Sequence, residues 1–251
     1  MTVKHKVYPR WFTAVWGLLV IHGLWWLGSY RLNQNMLPSP ILVYQHLIAM
    51  DKGKLFLHVY NSLIRLGWGM TIAVVIGFII GLLMGRSERV NQWLDPLVYL
   101  TYPIPKIALL PIIMLLFGLG NASKIILITL IVVFQVILSV RDGVKSISSS
   151  YYDHLKVLGA SSFQLFYVVT LPAALSAVLS AIRVALGTAI AILFFTEVYG
   201  TEYGLGYFIM DAWGRLDYLD MYVGIIVLSA VAFVLFQIID SLERHLLRWK
   251  K

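Results

Sequence analysis

The chain has 251 residues, of which 60% are hydrophobic and only 13% charged; its net charge is +8 and it contains no cysteine. Soluble domains of this size carry about a quarter charged residues, so this composition cannot cover a water-facing surface. With a mean hydropathy of +0.82, the bilayer is the natural solvent. The missing cysteines exclude disulfides, thiolate nucleophiles and cysteine metal sites. The positive charge sits in short loops and at both ends with no basic groove-reading helix, so we expect no nucleic-acid partner.

A membrane-spanning helix needs about 20 mostly apolar residues. The first candidate covers 11–29. Lys4, Lys6 and Arg10 precede it as in a signal peptide, but the apolar run is long, rich in tryptophan and lacks a small-x-small cleavage site before Tyr30, so it reads as a retained span. Residues 31–61 are too polar to cross. Within them, Ser39 suits an N-cap and Pro40 the first helical position, which predicts a short helix on the outer surface up to Met50.

Five further spans are expected at 62–84, 97–118, 124–140, 174–196 and 221–240. In the first of these, Gly77, Gly81 and Gly85 recur every four residues, a spacing that lets helix backbones approach closely. It suits either ordinary packing within the chain or a seam against a second subunit. The segment 97–118 holds Pro103, Pro105, Lys106 and Pro111. Each proline frees a carbonyl that lipid cannot satisfy, so this stretch is expected to line a wet pathway or its gate. Arg65 and Arg183 are the other cations inside spans, reaching either for an interface or for that pathway.

Basic residues set the orientation. One set of loops and ends holds Lys4, Lys6, Arg10, Arg86, Arg89, Arg141, Lys145, Lys156, Arg244, Arg248, Lys250 and Lys251; the opposite set holds only Arg31, Lys52, Lys54 and Arg215. Both termini are therefore expected in the cytoplasm. The stretch from Glu197 to Asp220, with Glu202, Asp211 and Asp217 against Arg215, becomes an acidic outer loop. It is either a docking face for an outside partner or a consequence of keeping basic residues inside.

No catalytic constellation is present. G-x-x-x-x-G-K-[ST] is missing, so no loop cradles a nucleotide phosphate. The six histidines form no metal-ligand pair at helical spacing, and no serine lies in G-x-S-x-G. The most informative stretch is 151–174. Gly159 suits a helix C′ position with positive φ, Ser161 and Gln164 make a capping box, and Pro172 closes the unit. The result is two short helices with an apolar face of Leu158, Phe163, Phe166 and Val169, fit for a groove on another protein or for the membrane surface.

This loop resembles the E-A-A-x3-G-x9-I-x-L-P motif of ABC importer permeases. Asp153, Gly159, Val169, Leu171 and Pro172 stand at the motif spacing, while His154 and Leu155 replace both alanines. Leu94-Asp95-Pro96, Phe117-Gly118-Leu119-Gly120, Leu171-Pro172-Ala173-Ala174-Leu175 and Gly204-Leu205-Gly206-Tyr207 are similar to the nitrate/sulfonate/taurine branch of that family. The resemblance implies an all-α type I importer fold with about six spans in the cell membrane, divided into residues 1–61 and a permease core 62–251 with a coupling loop at 141–173. It implies a homodimer of permeases, two ATPase subunits that use ATP and Mg2+, and an extracytoplasmic substrate-binding protein, with no cofactor or catalysis on this chain. Asp153, Leu158, Gly159, Ala160, Phe163, Leu171 and Pro172 would couple to the ATPase. Pro103, Pro105, Lys106, Pro111 and Arg183 would line the pathway, and Glu197, Glu202 and Asp211 would meet the binding protein. The expected cargo is a small anion such as a sulfonate, taurine or nitrate; a thiamine precursor or riboflavin is the alternative within the branch. An ion-coupled secondary transporter is the rival outside it, and it would need midplane coupling groups and paired repeats that the sequence does not display.

Overall fold

The computed structural model describes residues 10–32 and 36–248. Lys4, His5, Lys6, Lys250 and Lys251 lie outside that range. Among the described residues every regular element is helical: α1 (Arg10–Arg31), α2 (Pro40–Ala49), α3 (Lys52–Arg86), α4 (Glu88–Thr101), α5 (Leu110–Phe117), α6 (Asn121–Lys145), α7 (Ser149–Val157), α8 (Ser162–Leu165), α9 (Leu171–Glu197), α10 (Leu205–Gly214) and α11 (Tyr218–Leu246). A 3₁₀ turn, Lys106–Leu109, precedes α5, and a π-helical turn, Phe166–Thr170, joins α8 to α9.

Four helical stretches are long and apolar enough to cross a bilayer: α3, α6, Ser162–Glu197 and α11. The pair α4 and Lys106–Phe117 passes the same measure jointly but is bent by 78°. The expected third span at 97–118 is thus a broken one. Its two ends still lie at opposite ends of the bundle. Glu88 reaches Lys145 at the end of α6 (3.2 Å), and the carbonyl of Leu119 accepts from Lys124 at its beginning. Among the described residues the count is four, or five with the bent pair taken as one span, against six expected. The first expected span, 11–29, falls within α1, a helix of 22 residues. It is tied on by the Trp25 indole donating to Pro38 O (3.0 Å) and by His22 against the Tyr44 hydroxyl (2.6 Å).

The core lies among α3, α6 and α9. Along α3, Gly69, Ala73, Gly77, Gly81 and Gly85 form a small-residue strip, and α6 presents Ile128, Val132, Val136, Val140 and Val144 at the same spacing. A Cβ at Gly81 would lie 2.6 Å from Ile137 O, and one at Gly77 would lie 2.7 Å from the Val136 Cβ. The glycines therefore make an intramolecular seam, the ridge-and-groove contact that small residues permit in lipid. Gly143 does the same where α6 crosses α9, since a Cβ there would run into the Ala177 Cβ. By contrast, α11 buries only Val223 and Gly224, leaving most of that helix to face lipid or a partner.

The stretch expected as an acidic loop contains α10, which packs its Leu205, Phe208, Ile209 and Ala212 inward. A second small core joins Val43 of α2, Phe208 of α10 and Val223 of α11, and His46 pairs with Asp220 at 2.7 Å. Ser39 and Pro40 start α2 as the sequence predicts.

Candidate functional site

The stretch 148–172 protrudes from the bundle end formed by Arg86, Glu88 and Lys145. Ser148 caps α7 by accepting from the Ser150 amide. The helix stops at a glycine with φ +82. The Gly159 amide donates to Lys156 O (2.9 Å) and the Ala160 amide to Leu155 O (3.0 Å), the paired bonds of a Schellman ending. Ser161 and Gln164 then cap each other reciprocally, starting α8. Two contacts fix the unit to the bundle. The Tyr152 hydroxyl meets Thr170 Oγ1 at 3.0 Å, and the Arg86 guanidinium sits 4.8 Å from the Phe166 ring centroid.

Leu158 (80% exposed) and Phe163 (72% exposed) project outward beside Val157, Tyr167 and Val168, which are exposed too. The apolar face expected from the sequence is corrected here: Phe166 turns toward Arg86 and Val169 is half-buried, while Leu165 anchors the unit inside. Asp153 is exposed with Lys156 beside it at 3.6 Å. Leu171 and Pro172 open α9, so the loop runs directly into a spanning helix.

The bent segment resolves its own hydrogen-bond deficit. Pro103 and Pro105 leave the helix after Thr101, and Pro111 re-enters in the first turn of α5. The Lys106 ammonium donates to Thr101 O (3.1 Å) and Tyr102 O (3.3 Å), and lies 4.5 Å from the Phe134 ring centroid. Lys106 therefore supplies donors to the carbonyls at the break that follows Thr101. Arg183 lies on α9, paired with Asp240 and with Glu243 (3.8 Å) of α11.

At the opposite end the structure shows a polar cluster that the sequence reading missed. Arg65 is 3% exposed and Glu197 is fully buried. One guanidinium nitrogen donates to Glu197 Oε1 (2.7 Å) and Tyr203 O (2.6 Å), another to Thr201 Oγ1 (2.9 Å), and Nε to Asn121 Oδ1 (2.8 Å). Glu197 also accepts from Ser62 Oγ (2.8 Å) and the Gly206 amide (2.9 Å). Lys124, also fully buried, donates to Gly200 O (3.0 Å). Arg65 is thus no snorkelling cation, and Glu197 leaves the set of docking candidates because no partner can reach it. Glu202 and Asp211 remain accessible, Asp211 bonded to Arg215 at 3.0 Å. The signal available in the sequence was a charged residue at the end of an apolar run followed by Gly204-Leu205-Gly206. Its partner lies 132 residues away, which no local spacing reveals.

A model of binding-protein-dependent transport system inner membrane components matches residues 73–251. Relatives span nearly the whole chain. The formylaminopyrimidine transport permease protein ThiX of Halalkalibacterium halodurans is 31% identical over 234 residues, covering 93% of this chain and 94% of its own. The taurine transport system permease protein TauC of Escherichia coli is 32% identical, covering 92% and 87%. Among solved structures, the inward-facing MetNI methionine ABC transporter superposes with a TM-score of 0.66 at 20% identity, over 78% of this chain and 99% of that one. A bacterial ABC transporter importing alginate superposes at 0.63 and 14% identity, over 92% and 95%. Both likenesses speak for the fold. Sequence and architecture together show that the chain belongs to the family of binding-protein-dependent transport system inner membrane components.

Proposed function

We propose that this chain is the membrane permease subunit of an ABC importer and passes a small anionic solute inward, driven by ATP hydrolysed on partner subunits. The observation that carries the reading is the protruding unit 148–172. It is stiffened by a Schellman ending and a capping box, presents Val157, Leu158 and Phe163 to the outside, and continues into a spanning helix. Exposed apolar side chains on a rigid, capped turn fit a groove on another protein. Two ATPase subunits holding ATP and Mg2+ are its expected partners, one for each copy of a permease homodimer. In that assembly Asp153, Gly159, Ala160, Leu171 and Pro172 shape the contact and transmit it. The basic ends support a cytoplasmic position for this unit, which would turn α10, with Glu202 and Asp211, toward a substrate-binding protein outside. Relatives named for taurine, aliphatic sulfonates and bicarbonate support an anionic cargo. The relative named for formylaminopyrimidine keeps a thiamine-type precursor as the second reading.

Gly159→Val tests the assignment. A Cβ at Gly159 meets nothing within 4 Å, so the change burdens only the backbone, at about 1–3 kcal/mol for a β-branched residue at positive φ. The permease inserts and its spans stay folded, while co-purification of the ATPase or uptake falls. Normal ATPase binding together with normal uptake would refute the coupling role.

A further inference from the structure

A cavity of about 580 Å³ lies at the foot of the protruding unit, between it and the ends of α3 and α6. Arg86 and Lys145 reach it from the bundle, and Ser149, Tyr152 and Ser162 from the unit. Glu88 is the acidic residue in its wall, and it is bound to Lys145 at 3.2 Å. One carboxylate thus faces two cations, and Arg86 is the one left over. Among the described residues no carboxylate and no hydrogen-bond acceptor holds its guanidinium. It rests on the Phe166 ring instead, 4.8 Å from the centroid, and stacking on a ring leaves the N–H edge free to donate. The hydroxyls of Ser149 and Ser162 are likewise without a hydrogen-bond partner among the described residues.

Arg86 also ends an apolar stripe. Trp68, Ile72, Val75, Ile79 and Leu83 are all exposed on α3. At 3.6 residues per turn they lie within about 60° of Arg86 around the helix axis. Gly77 and Gly81, packed against α6, point the other way. The stripe therefore turns from the core toward the bilayer. From Trp68 to Leu83 it runs for about 22 Å at 1.5 Å per residue, more than the roughly 15 Å of hydrocarbon in one leaflet. An acyl chain laid along it brings its headgroup to Arg86 and the mouth of the cavity.

We infer that Arg86, Lys145, Ser149 and Ser162 form a headgroup site for an anionic phospholipid of the cytoplasmic leaflet. The guanidinium edge of Arg86 donates to the lipid phosphate, the two serine hydroxyls donate to its remaining oxygens, and an acyl chain follows Ile79 and Leu83. A zwitterionic lipid offers the same phosphate but adds a cation of its own beside one that is already unpaired, so the site favours a headgroup of net negative charge. Because the cavity lies between the bundle and the protruding unit, its occupant sets how firmly that unit is held. The inference rests on the permease reading for the side of the membrane on which the site lies, and adds a lipid ligand to it.

The test adds phosphatidylglycerol or phosphatidylcholine, matched in acyl chains, to the delipidated permease–ATPase complex in a neutral detergent, and counts bound lipid by native mass spectrometry. We expect phosphatidylglycerol to be retained over phosphatidylcholine. Arg86→Gln should weaken that retention roughly fivefold, the contribution of one basic residue at an anionic surface. Arg89→Gln removes an exposed cation of α4 that does not line the cavity, and should change retention little. Inorganic phosphate in excess should leave the bound lipid in place. A wild type that does not discriminate between the two lipids overturns the site, whether or not any variant folds. Retention unchanged by Arg86→Gln overturns it too, as does an equal loss in both variants, the mark of diffuse surface charge. Displacement by inorganic phosphate would make the cavity a site for free phosphate and overturn the lipid. Each of these leaves the permease reading standing. If the wild-type chain holds no ATPase subunit, that reading falls, and the same lipid count on the chain alone still decides the site.

Discussion

Arg65 and Glu197 show what a single pair of residues does at the end of a membrane bundle. Their bonds to Ser62, Asn121, Thr201, Tyr203 and Gly206 tie α3, α6 and α9 to residues 198–206. Removing one partner of a buried ion pair strands the other charge, typically at about 3–5 kcal/mol, whereas replacing both with apolar residues is far milder. Arg65→Met is therefore expected to lower the thermal transition of the purified protein markedly, and Arg65→Met with Glu197→Met is expected to recover much of the loss. A calorimetric double-substitution cycle reads both; additive losses would mean that the pair acts as two separate anchors. This cluster was invisible in the sequence because Arg65 and Glu197 each stand alone in an apolar setting. Gly159, Ser161 and Gln164 were legible because every group in that turn is satisfied within a few residues.

At the level of elements, the seam between α3 and α6 and the bend between α4 and α5 follow opposite rules. The seam is regular, and its glycines were readable as a period of four. What the sequence left open was the surface they would meet, because a close-packing strip looks the same whether its partner is in the chain or in another. Gly81→Leu, which drives side-chain atoms into Ile137 O and Val140, is expected to destabilise the protein by about 1–3 kcal/mol from overpacking. Gly67→Leu on the same helix has open space and serves as the matched control. Thermal unfolding in detergent distinguishes them, and equal losses would count against the seam. The bend was foreseeable as a proline problem but not as a turn of 78°, since its angle depends on Lys106 folding back onto Thr101 and Tyr102. Lys106→Met removes the bonds to those two carbonyls. It should lower uptake more than assembly, measured as transport per co-purified complex. Transport that is unchanged in a normally assembled complex would make Lys106 a bystander.

For the molecule as a whole, the two ends are chemically unlike. Arg86, Lys145 and Lys156 gather near the protruding unit, while Glu202, Asp211, Asp217 and Asp220 lie at the α10 end. We expect the first end in the cytoplasm. A cysteine at Ser149 should stay unreactive to an impermeant reagent added to intact cells, and one at Glu202 should react; the reverse pattern would invert the topology. Span positions were legible from hydropathy, and the helices run past the apolar cores because capped polar ends continue them, as Asp51 does for α3. The helix α10 was missed because its apolar residues are too few to stand out within an acidic stretch.

Residues Ser162–Glu197 form one helical stretch of 36 residues, on the order of 54 Å long at 1.5 Å per residue. Its first turn carries Phe163 on the exposed unit, and its last residue is the buried Glu197. In mechanical terms this is a beam clamped at one end and loaded at the other. The clamp is the guanidinium of Arg65. Compliance is concentrated in the five-residue π turn at Phe166–Thr170, where the regular helical hydrogen-bond ladder is interrupted. A push on Phe163 is thus either absorbed within that turn or delivered along the beam as a tilt about the clamp. Stiffening or softening those five residues sets how much of the stroke arrives.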